Sequence, residues 1–102
     1  MTGRRLDFRR INQVALGRVG EILARWLPDG RWEGHEYSAR NPRRADHRVG
    51  SFKVNSRTGA WSDFATGDRG GDLVSLAAYL GGLSQADAAR EVAGMLGIDP
   101  HE

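Results

Sequence analysis

The chain has 102 residues, a formal net charge of +2 and no cysteine, a length that suits one domain with one core. The lack of cysteine excludes disulfides, thiolate metal ligands and a cysteine nucleophile, and no run of about 18 apolar residues predicts a membrane span. The Arg-rich first residues lack the apolar stretch of a secretory signal, so we expect a cytoplasmic protein.

Basic residues are concentrated in the first half of the chain. Residues 1–25 and 31–57 carry more arginine than acid, whereas residues 58–102 are acidic. Nearly all the basic residues are arginine, which contacts phosphate in a bidentate manner and stacks on bases. A GC-rich genome would also favour arginine over lysine, but it would not explain the clustering.

The first predicted element is one amphipathic helix of about five turns, because apolar residues recur at steps of three and four. Asp7 is its expected N-cap, and the segment 28–30, Pro-Asp-Gly, ends it. Residues 1–30 are therefore predicted to form an N-terminal helical segment. The apolar positions are Phe8, Ile11, Ala15, Val19, Ile22 and Trp26.

Residues 31–64 have the pattern of short antiparallel strands. Residues 31–39 alternate loosely between polar and apolar side chains. Residues 51–55 alternate cleanly, so Phe52 and Val54 share one face and Lys53 lies on the other. Residues 56–59 predict a hairpin turn with glycine at its last position, after which residues 60–64 return as the partner strand.

A glycine-rich loop at residues 67–72 precedes two predicted helices, with Asp72 and Ser84 as their N-caps. Amides in such a loop can cradle a phosphate. Asp68 and Asp72 would repel an anion, however, so a tight turn that packs helix against sheet is favoured. The whole pattern predicts an α+β fold with an N-terminal helix, a small antiparallel sheet and two C-terminal helices. Residues 31–102 would join the helical segment in a single compact domain.

Three stretches of the chain carry motifs in a fixed order. Gly50 to Asn55 fits a Pro-Ser-Phe-x-Val/Ile-Asn strand, and Trp61 to Gly67 fits an aromatic-x-Cys-Phe-x-Cys-Gly strand and knuckle. Gly70 to Leu76 fits a Gly-Gly/Asn-Asp/Ala-hydrophobic entry to a helix. Together they resemble the N-terminal zinc-ribbon domain of bacterial DNA primases, and most closely that of phage- and plasmid-borne Toprim-type primases and primase–helicases.

The resemblance implies one zinc ion held by two knuckles, and this sequence lacks the ligands. Aligned on the proline at position 42, the ligand positions fall on Asn41 and Arg44 and on Asp63 and Thr66. Structural zinc requires four Cys or His ligands, so we predict that zinc and other cofactors are absent. His35 and His47 match no ligand spacing. An aromatic cluster is expected to stabilise the knuckles instead: Trp32, Tyr37, Phe52, Trp61 and Phe64.

The resemblance and the basic middle of the chain together predict a nucleic-acid-binding module. It would engage single-stranded or template DNA during DNA replication, as a zinc-ribbon-like part of a primase or primase–helicase whose catalytic domain would be its protein partner. We expect the Lys53 face of the sheet to meet DNA, whereas Trp61 either stacks on a base or lies in the core. The predicted contact residues are Arg31, Arg40, Arg43, Arg44, Arg48, Lys53, Arg57 and Trp61.

No catalytic residue is predicted. Asp63, Asp68 and Asp72 are carboxylates of the kind that hold catalytic metals, but Asp72 fits a helix cap better. Primase chemistry would lie in a separate domain, so the chain is not expected to be an enzyme. The alternative function is a small protein-interaction module from a mobile element, which docks on or mimics a replication or defence partner. Salt-dependent DNA affinity would separate the two functions.

Overall fold

The segment for which the periodicity predicts one long helix forms two short helices, α1 (Phe8–Leu16) and α2 (Val19–Trp26). The computed structural model describes residues 4–43 and 51–102. Arg18 leaves the helical region, with φ −124° and ψ 26°, directly after Gly17, a poor helix former. The prediction of one continuous helix was therefore wrong, although Asp7 caps α1 as expected by accepting a hydrogen bond from the Arg10 amide at 3.0 Å.

The described residues form one antiparallel sheet whose five strands follow the order of the chain. The short last strand occupies part of the stretch that was predicted to be a glycine-rich loop. It forms because Gly70 pairs with Trp61 and has no side chain to clash with the indole. The strands are β1 (Arg31–Glu33), β2 (Glu36–Ala39), β3 (Phe52–Asn55), β4 (Trp61–Asp63) and β5 (Arg69–Gly70).

Helices α3 (Leu73–Gly81) and α4 (Gln85–Leu96) complete the fold. Asp72 caps α3 in a capping box with Ser75, and Ser84 caps α4 by accepting from the Asp87 amide at 3.0 Å. Helix α1 packs on both α3 and α4. These elements confirm the predicted α+β class with C-terminal helices.

The two ends of the described chain lie side by side. Leu6 and His101 form an antiparallel bridge. The Asp7 amide donates to the Pro100 carbonyl at 2.8 Å, and the Glu102 amide donates to the Arg5 carbonyl at 2.8 Å. The pairing ties the start of α1 to the segment that follows α4.

The core lies between the helices and the inner face of the sheet, which carries Phe52, Val54 and Trp61. Trp61 packs on Tyr79 of α3, with ring centroids 4.6 Å apart, and on Phe52 at 5.9 Å. The predicted aromatic cluster is confirmed only in part, because Phe64 is 71% exposed and Trp32 is 48% exposed. Tyr79 packs on Phe52 and Trp61 instead, since α3 brings it over the sheet.

Candidate nucleic-acid interface

The strand register aligns one residue from each strand in a line across the sheet. Directly paired residues project from the same face, and the buried Phe52 and Val54 occupy the opposite face of β3. The line therefore lies on the outer face, away from the helices. With strands about 4.8 Å apart, it spans roughly 19 Å. This line, which we call the basic row, consists of Arg31, Ser38, Lys53, Ser62 and Arg69.

Lys53 lies at the centre of the basic row and is held by acids of the β1–β2 hairpin. Its Nζ is 3.4 Å from Oε1 of Glu33 and 4.0 Å from Oε1 of Glu36. The buried Ser38 hydroxyl donates to the same Glu33 oxygen at 2.6 Å. The Ser38 hydrogen bond, then the Lys53 ammonium, lower the pKa of Glu33. Glu33 is therefore ionised at neutral pH.

Phe64 presents an apolar ring beyond the end of β4. Its backbone is held in place, because the Phe64 amide donates to the Ser51 carbonyl at 2.9 Å and the Ala65 amide donates to Oδ1 of Asp63 at 2.8 Å. Its side chain nevertheless remains 71% exposed. An exposed aromatic ring on an ordered backbone can stack on an unpaired base.

Arg31 and Lys53 both lie in the basic row, and so does Arg69, which sequence reasoning missed. The glycine-rich pattern of residues 67–72 predicts a loop, and no sequence signal indicates the β4–β5 pairing that aligns Arg69 with Ser62. Lys53 lies on the face that its alternation predicts. Arg57 is exposed in the β3–β4 turn, with its amide donating to Oδ1 of Asn55 at 2.8 Å.

The remaining predicted arginines lie away from the basic row or outside the described residues. Arg40 is exposed after β2 and lines a small cleft with Trp26. Arg43 is fastened to α3, because its Nη1 donates to the Tyr79 carbonyl at 2.7 Å and its guanidinium lies 5.4 Å from the Tyr79 ring centre. Arg44 and Arg48 belong to residues 44–50, which lie outside the described part of the chain.

Trp61 lies in the core, which is one of the two alternatives that the sequence left open for it, the other being a stacking position on the surface. It is 5% exposed, and its indole N–H donates to the Ser75 hydroxyl at 2.9 Å. No face of the ring is open to a base, so its prediction as a stacking residue does not fit this fold. The physical reason is its register in β4, which directs it at α3.

Two of the four positions that the resemblance assigns to zinc ligands are in direct contact. Asn41 Nδ2 donates to Oδ2 of Asp63 at 2.7 Å, and both side chains are buried. The Thr66 amide donates to the Asp63 carbonyl at 3.3 Å, and its exposed hydroxyl accepts from the Asp68 amide. Arg44, the fourth position, is not described. The Asn41–Asp63 hydrogen bond therefore joins the segment after β2 to the end of β4.

Among the described residues, no group of three or more His, Asp or Glu side chains is arranged to hold a metal ion. His35, in the β1–β2 turn, is exposed, and His47 lies outside the described residues. No helix in the same part of the chain combines the length and the apolar character that crossing a membrane requires.

No protein-family model matches the sequence, and no curated protein matches it significantly. The geometry of the sheet face is therefore the basis on which a function can be proposed.

Proposed function

We propose that the protein binds single-stranded nucleic acid on the outer face of its sheet. The observation that carries the proposal is the basic row, which sets Arg31, Lys53 and Arg69 across the sheet, together with the exposed Phe64 beyond β4. Cationic side chains neutralise phosphates, and an exposed aromatic ring stacks on a base that has left its own stack. A paired duplex does not offer such a base, so single strands are preferred.

Binding of this kind is weak and depends on salt. Among the described residues, three cations on the outer face are accompanied by two acids, Glu33 and Glu36, so the net charge that these residues give the face is small. Affinity in the range of non-specific electrostatic binding, about 10⁻⁴–10⁻⁶ M at physiological salt, is expected. Affinity of this order suits a module that works beside a tighter-binding or catalytic domain.

The proposed setting is a primase or primase–helicase of a phage, plasmid or bacterium, in which this chain engages template in the cytoplasm and another domain performs catalysis. The contact between Asn41 and Asp63 supports this setting, since the resemblance assigns both positions to one site. A buried hydrogen-bonded pair is able to link two knuckles where a zinc ion is missing. The proposed module is neither zinc-bound nor catalytic.

Fluorescence anisotropy tests the proposal with a labelled oligo(dT) of about 12 nucleotides and the matching duplex, at about 50 mM and about 200 mM salt. Arg69→Ala should weaken single-strand binding and reduce the salt slope by about 0.7. Arg90→Ala removes an exposed arginine from α4, where Arg90 pairs with Asp87, and serves as the matched control.

Equal losses in the two variants would show that overall charge, not the sheet face, determines binding. No binding at low salt would overturn the nucleic-acid function. It would favour the protein-interaction alternative, for which a groove of about 460 Å³ beside α2, α3 and α4 offers an apolar surface lined by Trp26, Leu83 and Met95.

A further inference from the structure

The carboxylate of Glu33 lies close to three side chains of the basic row, of which one carries a hydroxyl and two are cationic. Ser38 donates to it at 2.6 Å, Lys53 Nζ is 3.4 Å away, and Arg31 Nε is 3.9 Å from its other oxygen. The three donors come from three adjacent strands, so the strand register places them around one point. An anion at that point is the common partner of all three.

The three donors are a suitable set for a phosphate group. A guanidinium, an ammonium and a hydroxyl all donate to phosphate oxygens, and charge-assisted bonds are the stronger ones. Ser38 is fully buried, so a phosphate reaches its hydroxyl only after the Glu33 carboxylate that is bonded to it has moved away. The side chains of Arg31, Glu33 and Lys53 are 70%, 42% and 27% exposed, and ion pairs that water reaches are weak enough to exchange partners.

We propose that Arg31, Ser38 and Lys53 form a phosphate-binding site, which the Glu33 carboxylate occupies in the free protein and yields to one backbone phosphate of a single strand. The inference rests on the proposed function and adds the position of one phosphate and the group that competes for it. Glu33 is thus an internal competitor that lowers affinity. Glu36 approaches Lys53 alone, at 4.0 Å, and is a lesser competitor.

Removing the competing charge tests the inference. Glu33→Gln keeps an acceptor for the Ser38 hydroxyl and frees both cations. Its affinity for the labelled oligo(dT) should rise roughly two- to tenfold, the factor that two exposed ion pairs represent, and its salt slope should steepen by about 0.7. Glu91→Gln removes the same charge from the exposed face of α4 and is the matched control. The affinity of Glu36→Gln for the oligonucleotide should lie between those of Glu33→Gln and Glu91→Gln.

The buried hydroxyl provides a second test. Adding Ser38→Ala to the Glu33→Gln protein should remove most of the gain, whereas Ser62→Ala, at another position of the basic row, should keep it. Circular dichroism and thermal melting check that each protein is folded. In a nuclear magnetic resonance titration with inorganic phosphate, the amides of residues 38 and 53 should shift at lower phosphate concentration in Glu33→Gln than in the wild-type protein.

The possible results distinguish failure of the phosphate-binding site from failure of the proposed nucleic-acid-binding function. Wild-type binding with equal affinities for Glu33→Gln and Glu91→Gln would overturn the phosphate site and leave the proposed function standing. Absence of oligonucleotide binding in every protein would overturn both. Tighter binding in Glu33→Gln that Ser38→Ala does not reduce would overturn the three-donor site, because charge alone would then explain the gain.

Discussion

Asn41 and Asp63, 22 residues apart in the chain, share a hydrogen bond of 2.7 Å from Nδ2 to Oδ2, and both side chains are buried. The same Nδ2 donates to the Tyr79 hydroxyl at 2.8 Å, and that hydroxyl donates to Oδ2 of Asp68 at 2.7 Å. The segment after β2, the strand β4 and the helix α3 therefore meet in one polar network. Networks of this kind determine which arrangement a small sheet adopts, because each buried polar group requires its partner.

Replacing Asn41 with alanine should destabilise the protein by about 1–3 kcal/mol, because the Asp63 carboxylate and the Tyr79 hydroxyl each lose a donor and the Arg43 amide loses its acceptor. Urea denaturation followed by circular dichroism measures the change. Thr66→Ala alters an exposed hydroxyl of the adjacent turn and should change the free energy of unfolding by less than about 0.5 kcal/mol. Similar losses in the free energy of unfolding of the two variants would show that the buried hydrogen bond contributes no more to stability than the exposed one.

Tyr79 should make the protein sensitive to alkali. Burial, and then the Asp68 hydrogen bond and charge, raise the pKa of Tyr79, while the bond from Asn41 acts in the opposite direction. A raised pKa means that the contribution to stability is complete below the ordinary value of 10.0 and is lost as the pH rises through the folded-state value. Wild-type protein should therefore lose more stability than Tyr79→Phe on alkaline titration.

Thermal melts of both proteins at neutral and at strongly alkaline pH measure this difference. Tyr79→Phe should be less stable than wild type at neutral pH by about 0.5–1.5 kcal/mol per lost hydrogen bond. The difference in stability between the two proteins should become smaller as the pH rises. Parallel curves for the two proteins across the alkaline range would contradict the assigned role of the hydroxyl.

Phe64 and Trp61 should respond in opposite ways to alanine substitution. Phe64→Ala should leave stability nearly unchanged, because the ring is 71% exposed, and should weaken single-strand binding by about 1–3 kcal/mol, the contribution of one stacked base. Trp61→Ala should cost about 3–5 kcal/mol of folding stability through the cavity it leaves. Chemical denaturation and anisotropy on the same samples separate the effects. Unchanged binding by a folded Phe64→Ala protein would remove the stacking role.

Gly70 and Gly71 are neighbours with different tolerance for a side chain. A Cβ at Gly70 would lie 2.5 Å from Nε1 of Trp61 and would also clash with the Ser75 hydroxyl, whereas a Cβ at Gly71 meets nothing within 4 Å. Gly70→Ala should therefore cost about 1–3 kcal/mol by overpacking. Gly71→Ala should stay within about 0.5 kcal/mol of wild type. Denaturation midpoints compare the pair directly, and equal midpoints would mean that β5 adapts to the added methyl group.

The part of the fold that could be predicted depends on short-range signals. Asp7, Asp72 and Ser84 cap helices because their side chains reach amides three residues away, a distance that any sequence window contains. The alternation around Lys53 likewise placed that side chain on the outer face. Gly59 adopts the positive φ of 82° that the hairpin turn required.

The features that were missed depend on partners far along the chain. The break after Gly17 that separates α1 from α2 is an exception, because it follows a poor helix former although the apolar period continues across it. Phe64 and Trp61 are both aromatic residues in one predicted strand. Only the packing of α3 against the sheet decides that Trp61 is buried and Phe64 is exposed.

By itself, the amino-acid sequence determined the α+β class, the helix caps, the alternation in β3 and the concentration of arginine in the first half of the chain. These properties follow from the φ/ψ preferences, hydrogen bonds and side-chain periods of residues close in sequence. The tertiary structure alone decided that Arg69 aligns with Lys53, that Glu33 reaches Ser38 and that Tyr79 meets Asn41. Each of these contacts depends on strand register or helix packing, in which a shift of one residue would send a side chain to the opposite face.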